Sequence, residues 1–210
     1  MSEPLGPSAR RQGAAVRAFF AFEPPEAAKA ALAALARELR ERPDGDAVRW
    51  VRSEGYHLTL RFLGNVATER LPALVEAVRA ELVAAKPFAV TFGAPRAFPS
   101  AREPRVVALA LEPEAELAAL AERIEAGVVR AGLPSERRRF RAHATLGRVR
   151  GRRLPSLAAP APCVGVLEVR EVVLLQSELD SSGSRYTPLA RLPLASAAAP
   201  AVTPPLPTSL

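Results

Sequence analysis

The chain has 210 residues, a formal net charge of +7, one cysteine and two histidines. It holds no run of about 18 apolar residues, so we expect no transmembrane helix, and residues 1–17 lack the apolar segment of a signal peptide. The lone Cys163 cannot form an internal disulfide and no Cys/His cluster occurs, so we expect no metal site, no cofactor and a cytoplasmic location.

Arginine supplies nearly all of the positive charge, since Lys29 and Lys86 are the only lysines. A basic surface favours a polyanionic partner, because counterions are released on binding and the guanidinium fork suits phosphate. A general preference of the genome for arginine would give the same composition. The charge alone therefore leaves the partner open.

Both ends of the chain are rich in Pro, Ser and Ala and lack a periodic apolar face. We expect disordered tails at 1–15 and 195–210 around a single domain at 16–194.

Between the tails, strand patterns alternate with helix patterns. In chain order we predict a strand at 17–22, a helix from Pro25 over 26–42, strands around Trp50 and His57 that end at Gly64, and a helix from an N-cap at Thr68 to about Ala85. There follow strands at 87–99 and 104–112, a helix from Pro113 that Gly132 stops, a strand through His143, an irregular stretch at 154–162, and strands at 166–179 and 185–192. This alternation predicts an α+β fold.

The first histidine lies in a strand pattern that reads His57-Leu-Thr-Leu. Side chains alternate between the two faces of a strand, so His57, Thr59 and Arg61 are expected to share one face. The intervening apolar residues, Leu58, Leu60 and Phe62, would then pack into the core.

The second histidine repeats the pattern as His143-Ala-Thr-Leu. His143, Thr145 and Gly147 are expected on one face and Ala144, Leu146 and Arg148 on the other, although a break near Gly147 could redirect Arg148. One helix and one such strand in each half suggest a duplicated, bilobal architecture with two-fold pseudo-symmetry.

Two imidazoles and two hydroxyls across a cleft suit chemistry on a phosphodiester. One imidazole can take a proton from water and the other can give a proton to the leaving oxygen, because the ordinary histidine pKa is about 6.5. The threonine hydroxyls can donate to the non-bridging phosphate oxygens, and no metal is needed. A single strand histidine is more often structural, but both histidines having Thr at +2 by chance is on the order of 1 in 1,000.

The paired motifs, with the flanking segments "RAFFAFEPPEAAKAAL", "RWVRSEGYHLTLRFLG" and "VVLLQSELDSSGSRYTPLARLPL", resemble the two-histidine (2H) phosphoesterase superfamily in its 2′-5′ RNA ligase-like branch. The resemblance runs from about Arg17 to Leu194. It implies a bilobal fold in which antiparallel sheets line a central cleft, with helices outside. It also implies hydrolysis of an RNA 2′,3′-cyclic phosphate to a 2′-phosphate, and some members join RNA ends through a 2′-5′ linkage.

The resemblance implies a role for each motif residue. His57 would be the proton donor and His143 the proton acceptor, although a near-symmetric site could exchange the two roles. Thr59 and Thr145 would hold the phosphate. The partner would be an RNA with a cyclic phosphate end, such as a tRNA fragment, bound by a monomer without any membrane.

Three further residues are candidate substrate contacts. Arg61 would contact phosphate or backbone, or else be a surface arginine on a strand. Arg148 matches an arginine of the family and would bind phosphate or form a salt bridge. Tyr186 would stack on a base or, as we favour, pack.

Two alternatives stay open at this point. An enzyme of the same superfamily could act on small cyclic nucleotides or on 2′-5′ oligonucleotides, and the arginines around the second motif favour a polymer instead. A non-catalytic RNA-binding protein would not need both histidines.

Overall fold

The computed structural model describes residues 14–151, 153–180 and 183–195. Within these ranges the chain forms β1 (Ala15–Phe22), α1 (Glu26–Arg40), β2 (Val48–Trp50), β3 (Leu58–Ala67), α2 (Leu71–Leu82), β4 (Phe88–Pro99), β5 (Pro104–Glu112), α3 (Glu114–Arg130), β6 (His143–Val149), β7 (Leu167–Val169), β8 (Glu171–Asp180) and β9 (Gly183–Pro193). The stretch 154–162 holds no helix or strand, as predicted. The α+β class is confirmed.

The strands of the described residues form one antiparallel sheet in the order β7-β4-β5-β6-β3-β1-β8-β9, with β2 paired to β6. The two motif strands, β3 and β6, lie side by side in its middle. We call β3, β1, β8 and β9 the His57 lobe, and β2, β6, β5, β4 and β7 the His143 lobe. The predicted bilobal architecture is confirmed, with the two lobes sharing one sheet.

The chain crosses from one lobe to the other at Arg170. The apolar pattern at 166–179 predicted one strand, and this prediction is wrong. β7 pairs with β4 in the His143 lobe, whereas β8 pairs with β1 in the His57 lobe. One apolar run therefore forms a strand in each of the two lobes. This is possible because its alternation of side chains fits against β4 as well as against β1.

The helices cover one face of the sheet. α1 lies on β6 and β2, while α3 lies on β3 and β5 with α2 packed beside it. Leu32 and Leu39 of α1 and Ile124 of α3 are fully buried there, because each helix turns an apolar stripe to the sheet. The opposite face carries a separate apolar cluster of strand residues: Phe19, Ala21, Val173 and Leu175, with Tyr186 packed against it.

Two element boundaries differ from the sequence prediction. β3 continues past Gly64 to Ala67, because Gly64, with a φ of 72°, stays paired with Ala18 of β1 and the pairing continues to the end of the strand. Thr68 does not cap α2. Its hydroxyl donates to the carbonyl oxygen of Ala14 at 2.9 Å, and a 3-10 turn at 68–70 precedes the helix. Gly132 follows α3 with a φ of 78°, as predicted.

The predicted tails lie outside the described residues, apart from Ala14, Ala15 and Ala195. Ala15 begins β1, and the amide of Ala195 donates to the carbonyl oxygen of Ala85 at 2.7 Å. Within the part of the chain that the structure describes, no helix is long and apolar enough to cross a membrane.

Candidate active site

The two histidine motifs meet where the lobes join. Leu58 and Ala144, the residues that follow the two histidines, lie directly opposite each other on β3 and β6, and both are fully buried. Extending this register by one residue sets His57 across from Thr145. The histidines and threonines therefore share the face opposite to the helices.

Each histidine is held by its own backbone in the same way. The Nδ1 atom of His57 lies 2.8 Å from the carbonyl oxygen of Gly55, and that of His143 lies 2.8 Å from the carbonyl oxygen of Arg141. A carbonyl oxygen can only accept, so Nδ1 carries the proton and donates in both rings. Each neutral imidazole then presents an unprotonated Nε2.

A β-bulge follows the threonine of each motif. The register of β3 against β1 passes from Thr59 directly to Arg61 and leaves Leu60 unpaired. The register of β6 against β5 leaves Leu146 unpaired in the same way. Each extra residue reverses the alternation of side chains in the part of the strand that follows it. We call the face of the sheet that carries the two histidines the histidine face. The fifth residue after each histidine therefore projects from the histidine face, and the fourth residue projects from the helix side.

Arg61 therefore does not share a face with His57, and this prediction is wrong. Its side chain is only 9% exposed and points toward the helices. The Nε atom donates to the carboxylate of Glu125 on α3, and the two terminal nitrogens donate to the carbonyl oxygens of Phe62 and Pro134. These contacts tie Arg61 to the packing of α3 on β3, on the face opposite to the histidines.

Arg148 takes the fifth position of the second motif and lies on the histidine face, while Gly147 does not. The placement of these two residues by plain alternation is therefore wrong, and the redirection near Gly147 is observed. A Cβ on Gly147 would lie 2.4 Å from Cγ1 of Val48, so only glycine allows β2 to pack this closely on β6. Arg148 is exposed on the histidine face, and its positive charge acts on His57.

Aromatic rings surround His57. Its imidazole lies 4.8 Å from the ring of Phe19 and 4.8 Å edge-on from the ring of Tyr186, measured between centroids. Phe62 occupies the fifth position of the first motif, 5.6 Å from Phe19, and is 53% exposed. The expectation that Phe62 joins the core is wrong for the same reason as for Arg61. Tyr186 packs against a catalytic candidate, as we favoured.

His143 has a different neighbour, which the sequence did not reveal. Its imidazole stacks on Phe98 of β4, with centroids 4.1 Å apart and planes inclined by 17°. The guanidinium carbon of Arg141 lies 4.3 Å from the centroid of the same ring. A phenylalanine in an apolar strand is typical of a core residue, so no sequence signal distinguishes Phe98.

Burial and positive charge both favour neutral imidazoles. Burial lowers the pKa of His57 to about 4, the positive charge of Arg148 acts in the same direction, and the hydrogen bond to Gly55 opposes both effects. Burial also lowers the pKa of His143, with further contributions from Arg141 and Arg96. Both rings are therefore neutral at pH 7 in the free protein.

The two threonine hydroxyls are available to a ligand. Thr59 and Thr145 are half-buried, and within the described residues neither hydroxyl makes a hydrogen bond to protein. Two donors beside two unprotonated Nε2 atoms can bind a phosphate and move protons at its ester oxygens.

A cavity among the described residues lies away from the histidines. It has a volume of about 700 Å³ and is lined by Leu60, Arg61 and residues of α3 and 136–140, on the helix side of the sheet. It contains neither histidine, so we place the candidate site on the open histidine face instead. No group of three His, Cys, Asp or Glu side chains in the described ranges is arranged to hold a metal ion.

The sequence and the fold are both similar to those of known proteins. The model of the LigT like phosphoesterase family matches the chain twice, over residues 22–108 and 109–186. The RNA 2′,3′-cyclic phosphodiesterase of Archaeoglobus fulgidus is 35% identical over 156 residues, which cover 72% of this chain and 86% of that protein. The RNA 2′,3′-cyclic phosphodiesterase of Methanothermobacter thermautotrophicus is 34% identical over 146 residues, or 67% of this chain and 79% of that protein. A crystal structure of E. coli LigT complexed with 3′-AMP aligns with a TM-score of 0.72 at 28% identity, over 87% of this chain and 100% of that chain.

Proposed function

The chain belongs to the LigT-like phosphoesterase family, and we propose that it hydrolyses the 2′,3′-cyclic phosphate at the end of an RNA to a 2′-phosphate without a metal. One observation carries this proposal. The pairing of Leu58 with Ala144 sets two imidazoles and two unengaged threonine hydroxyls on one open face. The resemblance to the curated phosphodiesterases supports the choice of substrate.

The reaction needs one proton acceptor and one proton donor. We propose that Nε2 of His143 accepts a proton from water while the water oxygen attacks phosphorus. The bond between phosphorus and the 3′ oxygen breaks, and that oxygen takes a proton from Nε2 of His57. The water oxygen remains on the 2′-phosphate, and the two histidines return to their starting states by exchange with solvent.

The bound phosphodiester itself would charge His57. Its negative charge lies between the two rings and raises the pKa of the nearer imidazole, which opposes the effect of burial. Because the Nδ1 proton is already held by Gly55, the added proton must sit on Nε2, where it faces the leaving oxygen. The hydroxyls of Thr59 and Thr145 would donate to the non-bridging oxygens as negative charge develops on them.

A product assay tests this function. The protein is incubated with EDTA and a short RNA that ends in a 2′,3′-cyclic phosphate, beside the variants His57→Ala and His143→Ala. We expect a 2′-phosphate from the wild type and a loss of about 10³-fold or more in each variant. A 3′-phosphate product, or activity that EDTA abolishes, would contradict the proposal.

The two histidine roles need a separate test. A 4-nitrophenyl ester of a nucleoside 2′-phosphate releases a weakly basic leaving group that does not need a proton. We expect the defect of His57→Ala to shrink strongly with this substrate and that of His143→Ala to persist. The reverse pattern would exchange the two roles.

We propose 2′-5′ joining of RNA ends as a second reaction of the same site, on the resemblance alone. Attack by the 5′ hydroxyl of another RNA in place of water would break the same phosphorus–oxygen bond and leave a 2′-5′ linkage. Adding a 5′-hydroxyl RNA to the product assay would reveal this joined product. Its absence would restrict the enzyme to hydrolysis.

A further inference from the structure

Two arginines lie side by side at the edge of the site. Arg49 on β2 is directly opposite Arg148 on β6. Side chains that lie opposite each other in an antiparallel pair project from the same face. Since Arg148 is on the histidine face, Arg49 is there too, and both are exposed.

This arrangement is unfavourable without an anion. Like charges directly opposite on neighbouring strands repel each other. In the described part of the chain, no carboxylate oxygen lies within 4.0 Å of a side-chain nitrogen of either arginine. Another exposed arginine, Arg191, does form ion pairs, with Glu23 and Glu171. The pair lacks the counter-charge that a bound phosphate would supply.

The position of the pair sets which phosphate it can reach. Arg148 lies beyond Thr145 by two strand steps on the same face, about 7 Å along β6, because the bulge absorbs one residue. The Arg49 guanidinium comes within 3.6 Å of the Cβ position of Gly183 at the start of β9. It therefore reaches from the His143 lobe to the His57 lobe, at the end of the site that lies beyond Thr145.

We propose that Arg49 and Arg148 together bind a second phosphate, the one on the 5′ oxygen of the nucleotide that carries the cyclic phosphate. This inference rests on the proposed function and adds a substrate requirement to it. Two guanidinium forks match the oxygens of one phosphate, and such charge-assisted hydrogen bonds are among the strong ones. The phosphate belongs either to the preceding nucleotide of an RNA chain or to a free 5′-phosphate group.

Four substrates separate these cases. The first is a nucleoside 2′,3′-cyclic phosphate with a free 5′ hydroxyl, and the second carries a 5′-phosphate. The third is a dinucleotide with the same cyclic end, and the fourth is that dinucleotide with an uncharged methylphosphonate linkage. We expect kcat/KM to rise roughly tenfold to a hundredfold from the first to the second and third, mainly through KM, and not for the fourth.

The variant Arg49→Gln should lose most of the gain in kcat/KM that the second and third substrates show over the first. The matched control is Arg105→Gln, which removes the same charge from an exposed position on β5 next to Val106, the residue opposite Arg148. Arg105 points to the other face, so we expect the control to keep both the ratio and the activity. Arg49→Gln should also lower the slope of log affinity against log salt by about 0.7 for a longer single-stranded RNA with the same cyclic end.

A binding measurement decides the inference without turnover. Calorimetry compares adenosine 2′-phosphate with adenosine 2′,5′-bisphosphate on the wild type and both variants. A gain for the bisphosphate that Arg49→Gln alone abolishes supports the pair, even if no cyclic phosphate is hydrolysed and the proposed function fails. Turnover of every cyclic substrate without that gain, or an equal loss of the gain in the control, overturns the inference and leaves the proposed function intact.

Discussion

The imidazole of His143 stacks on the ring of Phe98, with centroids 4.1 Å apart. The ring shields one side of the imidazole from water, and burial lowers the pKa of His143. We expect Phe98→Ala to raise this pKa toward 6.5 and to reduce kcat about tenfold, because the imidazole gains water and freedom to turn. An NMR titration of His143 measures the shift. Phe98→Leu should keep the lowered pKa, and an unchanged pKa in the alanine variant would contradict the role of the ring.

The pH dependence of the reaction should report both lowered pKa values. In the free enzyme, activity needs a protonated His57, whose pKa is about 4, and a neutral His143, whose pKa lies below 6.5. The profile of kcat/KM should therefore be bell-shaped with an optimum below pH 6.5. The profile of kcat should lie at higher pH, because the bound phosphate raises both pKa values. A profile with a single ionisation would count against two catalytic histidines.

Burial of His57 should also make folding sensitive to acid. Its pKa is about 4 in the folded protein and about 6.5 in the unfolded chain. The unfolded chain therefore binds the extra proton between these values, so the free energy of unfolding falls as the pH drops from 6.5 to 4, by up to about 3 kcal/mol. Urea unfolding measured across this pH range should show a smaller decline in the free energy of unfolding for His57→Gln than for the wild type. Equal slopes for the two proteins would mean that His57 is not buried in its neutral form.

The threonine hydroxyls should matter for the rate more than for stability. We expect Thr59→Val and Thr145→Val each to lower kcat about 100-fold, because each removes one donor to the phosphate. Thr59→Ser and Thr145→Ser keep the hydroxyl and serve as controls, with activity near that of the wild type. Single-turnover assays separate this loss from weaker binding. Full activity of both valine variants would exclude the hydroxyls from phosphate binding.

Arg61 should support the fold and not the reaction. Arg61→Met leaves Glu125 and two backbone carbonyls without their donor, so we expect the free energy of unfolding to fall by about 3 kcal/mol. The KM of the folded variant should stay unchanged. The exposed pair of Arg170 with Glu168 provides the comparison, since Arg170→Ala should cost less than about 1 kcal/mol. A raised KM with unchanged stability would return Arg61 to the substrate contacts.

The sequence predicted most elements and the meeting of the two motifs. Periodicity and the Pro and Gly signals placed α1, α3 and the strands at 88–99 and 104–112, because local propensities and tertiary contacts agree there. The repeated His-x-Thr pattern identified all four motif side chains on the shared face. Their common face follows from the strict two-residue period, which holds up to each threonine.

The errors begin where that period is broken. The bulges at Leu60 and Leu146 depend on how β3 and β6 pair with their neighbours. No residue type in either strand predicts a bulge at these positions. Because of these bulges, Phe62 and Arg148 lie on the histidine face, whereas Arg61 lies on the opposite face. Arg49 and Phe98 were missed for a related reason, because their contacts come from strands remote in sequence.

The crossing at Arg170 has a consequence for synthesis of the chain. β1 pairs with β8 and β8 pairs with β9, and both of these strands are made after every strand of the other lobe. The edge of β1 therefore has no partner until β8 has been made, whereas the strands of the other lobe are already complete. The His57 half of the site therefore matures later than the His143 half. A message truncated before β8 would yield a nascent chain with an open strand edge, a species that chaperones and proteases recognise.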